Sequence, residues 1–116
     1  FAGRRPNADI WKWYGSLDAF VLPRKNTEVC RTVTPIKALI AQALGVPVIG
    51  SDLPAIREVT GGIECYVEPE SVESLTAALL EIQPDQPRNS AAIAWARSRT
   101  WSENARKLSR IYRDLL

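Results

Sequence analysis

The chain has 116 residues, 46% apolar and 24% charged, the balance of one soluble globular domain with a single core. Its net charge of +2 is too small to argue for nucleic acid, no apolar run approaches the roughly 18 residues of a membrane span, and no signal-peptide pattern opens it. The absence of histidine excludes a Ser-His-Asp triad and His-ligated zinc. The two cysteines, Cys30 and Cys65, have neither metal nor disulfide-framework spacing and are expected as reduced thiols in a cytosolic protein.

The chain begins at Phe1 rather than Met, and Phe1-Ala2 reads as the end of a strand turning at Gly3, so a longer parent protein is expected. Residues 6–14 read as a short helix, with Asn7 as its cap and Ile10, Trp13 and Tyr14 on one face. Trp11, Trp13 and Tyr14 are expected in packing rather than as a stacking platform. Residues 19–22 form an apolar run without alternation, as in a strand covered on both faces. A long cationic loop over residues 24–33 follows.

The next helix is strongly signalled: Thr34 can cap, Pro35 suits the first helical position, and Gly45 suits the C-terminal stop. Ile36, Leu39, Ile40, Ala43 and Leu44 make its apolar stripe. A second strand is predicted over 46–49, with Asp52 as a cap for a short helix over 54–59 that Gly61-Gly62 stops. Glu58 is expected on that helix's surface. A third strand is predicted over 63–67, and a helix over 71–82 with Val72, Leu75, Leu79 and Ile82 aligned. A linker over 84–87 leads to a helix over 88–97 anchored by Ile93 and Trp95. Thr100 and Glu103 form a capping box for a last helix over 100–116, with Leu108, Ile111, Tyr112 and Leu115 on one face.

Strands alternating with helices predict a parallel sheet in an α/β domain. Ligands of such sheets bind outside the carboxyl ends of the strands. The loop over 24–33 lies there, and loops longer than the usual two to six residues are often functional. Arg24, Lys25, Arg31 and Lys37 gather around the start of the Thr34 helix, whose free N–H groups and positive dipole end favour an anion. Glu28, in the same loop, could accept bonds from ligand hydroxyls, although pairing with Arg31 or Lys25 is the preferred reading. No glycine-rich GxGxxG or P-loop motif is present.

The run VLPRKN…VTPIKALIAQALGVPVIGSDLPAIREV resembles the donor-binding half of glycosyltransferase family 4, the retaining GT-B enzymes, whose pattern reads close to V-T-P-L-K-P-L-E-A-M-A-x-G-K-P-V-V-A-S-D. The resemblance covers most of residues 1–82 and holds its spacing over several elements. It implies a Rossmann-like three-layer α/β/α fold with a small parallel sheet, the C-terminal half of a GT-B fold, with residues 1–116 as one partial nucleotide-sugar-binding domain. It implies transfer from a nucleotide-sugar such as a UDP- or GDP-sugar, with no metal or other cofactor in the donor site. An acceptor glycan or glycolipid and a separate N-terminal acceptor domain are implied as partners, and nucleic acid is not. The implied setting is cell-surface polysaccharide or glycolipid assembly, cytoplasmic or at the inner membrane face. Peripheral membrane attachment and an oligomer are left open.

By the same resemblance Arg24, Val33, Thr34 and Pro35 would face the sugar and diphosphate, with Lys37 nearby and Gly3-Arg4 near the base. One position departs from the pattern: where the family carries the glutamate that holds the ribose, this chain has Ile40, and the earlier acid of the paired-glutamate motif falls at Thr32. Isoleucine cannot accept ribose bonds. A non-catalytic, degenerate module kept for partner binding is therefore the alternative, and a related epimerase a weaker one.

Overall fold

The computed structural model describes residues 2–116. The expected strand end at residues 1–2 lies partly outside them, and Ala2 is not in a strand; Gly3 does turn the backbone. A 3-10 turn, Asn7–Asp9, leads into α1 (Ile10–Gly15), so Asn7 does not cap the helix; Asp9 takes the cap position, without a side-chain bond. The further elements are β1 (Phe20–Leu22), α2 (Glu28–Thr32), α3 (Ile36–Ala43), β2 (Val48–Ser51), α4 (Pro54–Thr60), β3 (Cys65–Val67), α5 (Val72–Leu80), α6 (Ser90–Arg97) and α7 (Trp101–Leu115).

The three strands form a parallel sheet in the order β1-β2-β3, with Phe20 opposite Val48 and Ile49 opposite Cys65. Strand order follows chain order, and the crossover helices α3 and α4 pack against each other, the arrangement that right-handed crossovers produce. Helix α6 packs on both from outside, and α5 packs against β2 and β3. This is the expected Rossmann-like α/β arrangement, on a small sheet. The second strand is shifted two residues along from its predicted span.

Ala38, Ala41, Val46 and Val48 form one buried cluster, with Tyr14, Phe20, Leu22, Leu44 and Val59 packed around it, and Ile49, Leu53 and Ile56 are the largest fully buried side chains. The inward face of α3 is therefore Ala38, Ala41 and Gln42, not the predicted stripe. Leu39, Ile40 and Leu44 are half-buried, and Ile36 is 66% exposed. The physical reason is crowding: α3 lies between the sheet, α1, α4 and α6, and small inward residues permit that approach. In α5 the half-buried residues are Ser74, Leu75 and Ala78, while Val72 stands 74% exposed. Trp11 and Trp13 are exposed, under Lys12 and Arg5 respectively, so packing holds only for Tyr14, which stacks on Phe20 at 5.4 Å.

Two glycines are set by their neighbours. Gly45 ends α3 at φ +74°, where a Cβ would meet the Arg88 side chain at 2.6 Å. Arg88 also donates to the Leu44 carbonyl at 2.6 Å, which bolts the linker to the end of α3. Gly61 ends α4 at φ +74°, under the Trp95 ring; Trp95 Nε1 donates to the Val59 carbonyl at 2.9 Å. Trp95 is thus the expected anchor of α6, joined by buried Ala92 and Ala96.

A polar cluster lies inside the crossovers. Fully buried Gln42 donates to the Thr60 carbonyl at 3.0 Å and to Glu64 Oε1 at 2.8 Å. Glu64 Oε2 accepts the Val48 N–H at 3.0 Å. The Thr60 hydroxyl donates to the Ile56 carbonyl and meets the Tyr66 hydroxyl at 2.6 Å. Thr100 caps α7 through the Glu103 amide, but the reciprocal half of the box is not made; Glu103 pairs with Arg106 instead. Every α7 residue except Glu103 is exposed, its apolar face included, and the molecule measures 53 × 32 × 29 Å. Among the described residues no helix is long and apolar enough to cross a membrane.

Candidate functional site

The carboxyl edge of the sheet is built by the segments leaving β1 and β2. Pro23 has no N–H, so the main-chain ladder between β1 and β2 stops there. The side chain of Ser51, 2% exposed, carries the connection one residue further. Its Oγ accepts from the Arg24 N–H at 2.8 Å and donates to the Arg24 carbonyl at 2.8 Å.

The predicted loop is not all loop. Thr27 turns its hydroxyl to the Cys30 amide and caps α2, a five-residue helix inside the segment. Asn26-Thr27-Glu28 carries that signal in the sequence, a polar cap with an acid in the first turn. Arg31 on α2 donates to Asn26 Oδ1 at 3.1 Å. Glu28 is exposed and, among the described residues, makes no ion pair, so neither Arg31 nor Lys25 neutralises it as expected. Cys30 is a free thiol whose pKa is held below the usual range, first by the Thr27 hydroxyl and then by Arg24, against partial burial.

Thr34 does not cap α3. Pro35, buried, occupies the cap position at φ −85°, ψ 103°, and the helix begins at Ile36. Proline contributes no capping side chain, so among the described residues the amides of Ile36 and Lys37 have no acceptor, while that of Ala38 bonds the Pro35 carbonyl at 3.2 Å. Val33, Thr34 and Lys37 are exposed around this open helix start. The chain therefore brings Val33, Thr34, Pro35 and Lys37 together through local geometry, and Ser51 holds Arg24 at the other end of the same segment. Gly3 and Arg4 are exposed, and no hydrogen bond or ion pair among the described residues joins them to this set. Ile40 sits one turn into α3, half-buried.

Asp52 is not a helix cap: Leu53 takes that position. Instead the Asp52 carboxylate accepts two bonds from Arg57, at 2.5 and 2.9 Å, which hold its pKa below the ordinary carboxylate range. The Arg57 guanidinium also lies 4.1 Å over the Tyr66 ring, so its charge is spent inside the domain. A groove of about 280 Å³ beside the α3 start is lined by Thr34, Ile36, Leu39, Glu58 and Trp101 among others. Ser51 and Gln42 are the positioning residues that sequence reasoning missed, because both act on partners far along the chain.

The structure thus sets a Rossmann-like parallel sheet beside an uncapped helix start that carries Lys37 at the carboxyl edge, the edge at which ligands of such sheets bind. The family model of glycosyl transferases group 1 matches residues 1–85, and the chain belongs to that family. In a 125-residue alignment it is 32% identical to the lipopolysaccharide core biosynthesis mannosyltransferase LpsB of Rhizobium meliloti (strain 1021). The alignment takes in all of this chain and 34% of that protein, so the chain spans about a third of the length of the curated relative it matches. No solved structure matches the chain at a significant level.

Proposed function

We propose that the chain is the donor-binding portion of a retaining, nucleotide-sugar-dependent glycosyltransferase of GT-B architecture, acting in cell-surface polysaccharide or glycolipid assembly. The observation that carries this reading is the open start of α3, with the Ile36 and Lys37 amides unpaired and the exposed Lys37 in its first turn. Helix N–H groups and cations stabilise the leaving nucleotide diphosphate as negative charge develops on it. Arg24, Val33, Thr34, Pro35 and Lys37 face the sugar and diphosphate, and Glu28, unneutralised, accepts from sugar hydroxyls. Gly3-Arg4 lie toward the base. Protein cations supply the charge at this site, with no metal or other cofactor. The acceptor is a glycan or glycolipid held by another domain, and the setting is cytoplasmic. The mannosyltransferase named in the comparison fits this pathway.

The test is calorimetry with UDP- and GDP-sugars on the protein expressed from its complete reading frame. Saturable binding is expected, and no heat at millimolar ligand would sink the reading. Ile40 favours a second reading, a degenerate module kept for partner binding, since it leaves the ribose position without an acceptor.

A further inference from the structure

We propose that Ser51 is a positioning residue for the donor: its hydroxyl sets the path of the segment from Arg24 to the start of α3. This rests on the reading of that segment as the donor site. Three observations carry it. The β1–β2 ladder ends at the pair Leu22–Gly50, and Pro23 has no N–H with which to extend it. Ser51, at the last position of β2 and 2% exposed, then bonds both main-chain groups of Arg24 at 2.8 Å each. One hydroxyl thereby replaces a whole rung of the sheet, with its donor and its acceptor both satisfied. Beyond Arg24 the segment's side-chain hydrogen bonds, those of Thr27 and Arg31, run within itself, while α2 packs against α4. The path of its first residue is therefore set at Ser51, and the packing of α2 on α4 holds its middle. The Arg24 side chain and the diphosphate-facing helix start sit at the two ends of the segment so directed.

The test uses Ser51→Ala, Ser51→Thr and Ser51→Cys in the protein expressed from its complete reading frame. The Thr variant keeps the hydroxyl, and the Cys variant keeps the volume with a weaker donor should the extra methyl not fit. Ser51→Ala is expected to weaken the donor KM about tenfold, the usual scale for one lost hydrogen-bonding group. Its kcat should stay within about twofold, the mark of ground-state positioning rather than chemistry. Ser51→Thr, or Ser51→Cys in part, should restore KM. Amide hydrogen exchange gives a readout independent of ligand: the Arg24 N–H should exchange faster in Ser51→Ala, with the core amides of β2 unchanged. Unchanged Arg24 exchange overturns the positioning claim whatever the ligand does. Faster exchange with an unaltered KM overturns the link to the donor. A wild-type protein that binds no nucleotide-sugar overturns the site reading itself, and the inference with it.

Discussion

The carboxylate of Glu64 accepts the backbone N–H of Val48 at 3.0 Å, so the residue just before β3 holds the first rung of β2. Its second oxygen takes the Gln42 amide from α3, which joins three elements through one side chain. Removing it leaves two interior donors unpaired. Glu64→Ala should therefore cost about 1–3 kcal/mol, read as a shift of the urea midpoint.

The same residue gives a pH dependence. Burial pushes the Glu64 carboxyl up, against the bonds from Val48 and Gln42 that pull it down. The folded chain thus holds this proton more tightly than the unfolded chain. The stability it contributes is complete below the ordinary glutamate pKa and is lost as pH rises through the raised value. Glu64→Gln stays neutral throughout. Melting curves should show the wild type losing ground to Glu64→Gln as pH climbs from about 4, the unperturbed value, toward neutrality. A gap that moves the other way would contradict this.

Gly61 and Gly62 separate strain from crowding. Both have positive φ, at +74° and +71°, but only Gly61 lies against the Trp95 ring, 2.6 Å from where a Cβ would stand. Gly62→Ala should cost about 1 kcal/mol, from backbone strain alone. Gly61→Ala should add a packing cost of about 1–3 kcal/mol as α6 is pushed away. Equal denaturation midpoints for the two variants would show that α6 yields freely.

The two thiols should react in the order opposite to their exposure. Cys65 is the more exposed, but burial of its sulfur and the charges of Glu81 and Glu64 push its pKa up. Cys30 is lowered by Thr27 and Arg24. Thiolate is the nucleophile. Iodoacetamide near neutral pH, followed by peptide mass spectrometry, should label Cys30 first, and Arg24→Ala should slow that labelling.

Ile40→Glu tests whether the ribose contact has decayed. The side chain is half-buried on the α3 turn that follows the open helix start. If ribose hydroxyls lie there, a glutamate adds a charged acceptor of about 1.5–3 kcal/mol, roughly a ten- to hundredfold gain in nucleotide affinity. We expect that gain by calorimetry. Its absence would mean that the ribose is held by other groups.

Much of the fold was legible because its signals are local. Thr100 caps its helix through the amide three residues on, and Gly45 and Gly61 stop theirs, as predicted from sequence; Ser71 caps α5 in the same way. The strands were legible as apolar runs, though their bounds shifted. The inward face of α3 was not, because Ala38, Ala41 and Gln42 are inside for lack of room rather than for hydrophobicity. Asp52 looked like a cap because caps are common after strands; the bidentate geometry of Arg57, five residues on, claimed it. Within the site the cations and the helix start were visible, but α2 was hidden in a segment read as loop. Ser51 was invisible, since its partner is 27 residues upstream.

In the proposed site, the missing cap on α3 ties folding to occupancy. A serine or threonine at that position would contribute about 1 kcal/mol to the first turn, which Pro35 does not supply. An anion that docks on the Ile36 and Lys37 amides does the work of the cap itself. Ligand and helix then draw on one free energy, and the protein stiffens as its site fills. The added stability follows RT ln(1 + [L]/Kd), about 2.7 kcal/mol at a hundredfold excess over Kd. A thermal shift is thus a direct report of saturation, and the unliganded first turn of α3 should be where amide protons exchange earliest.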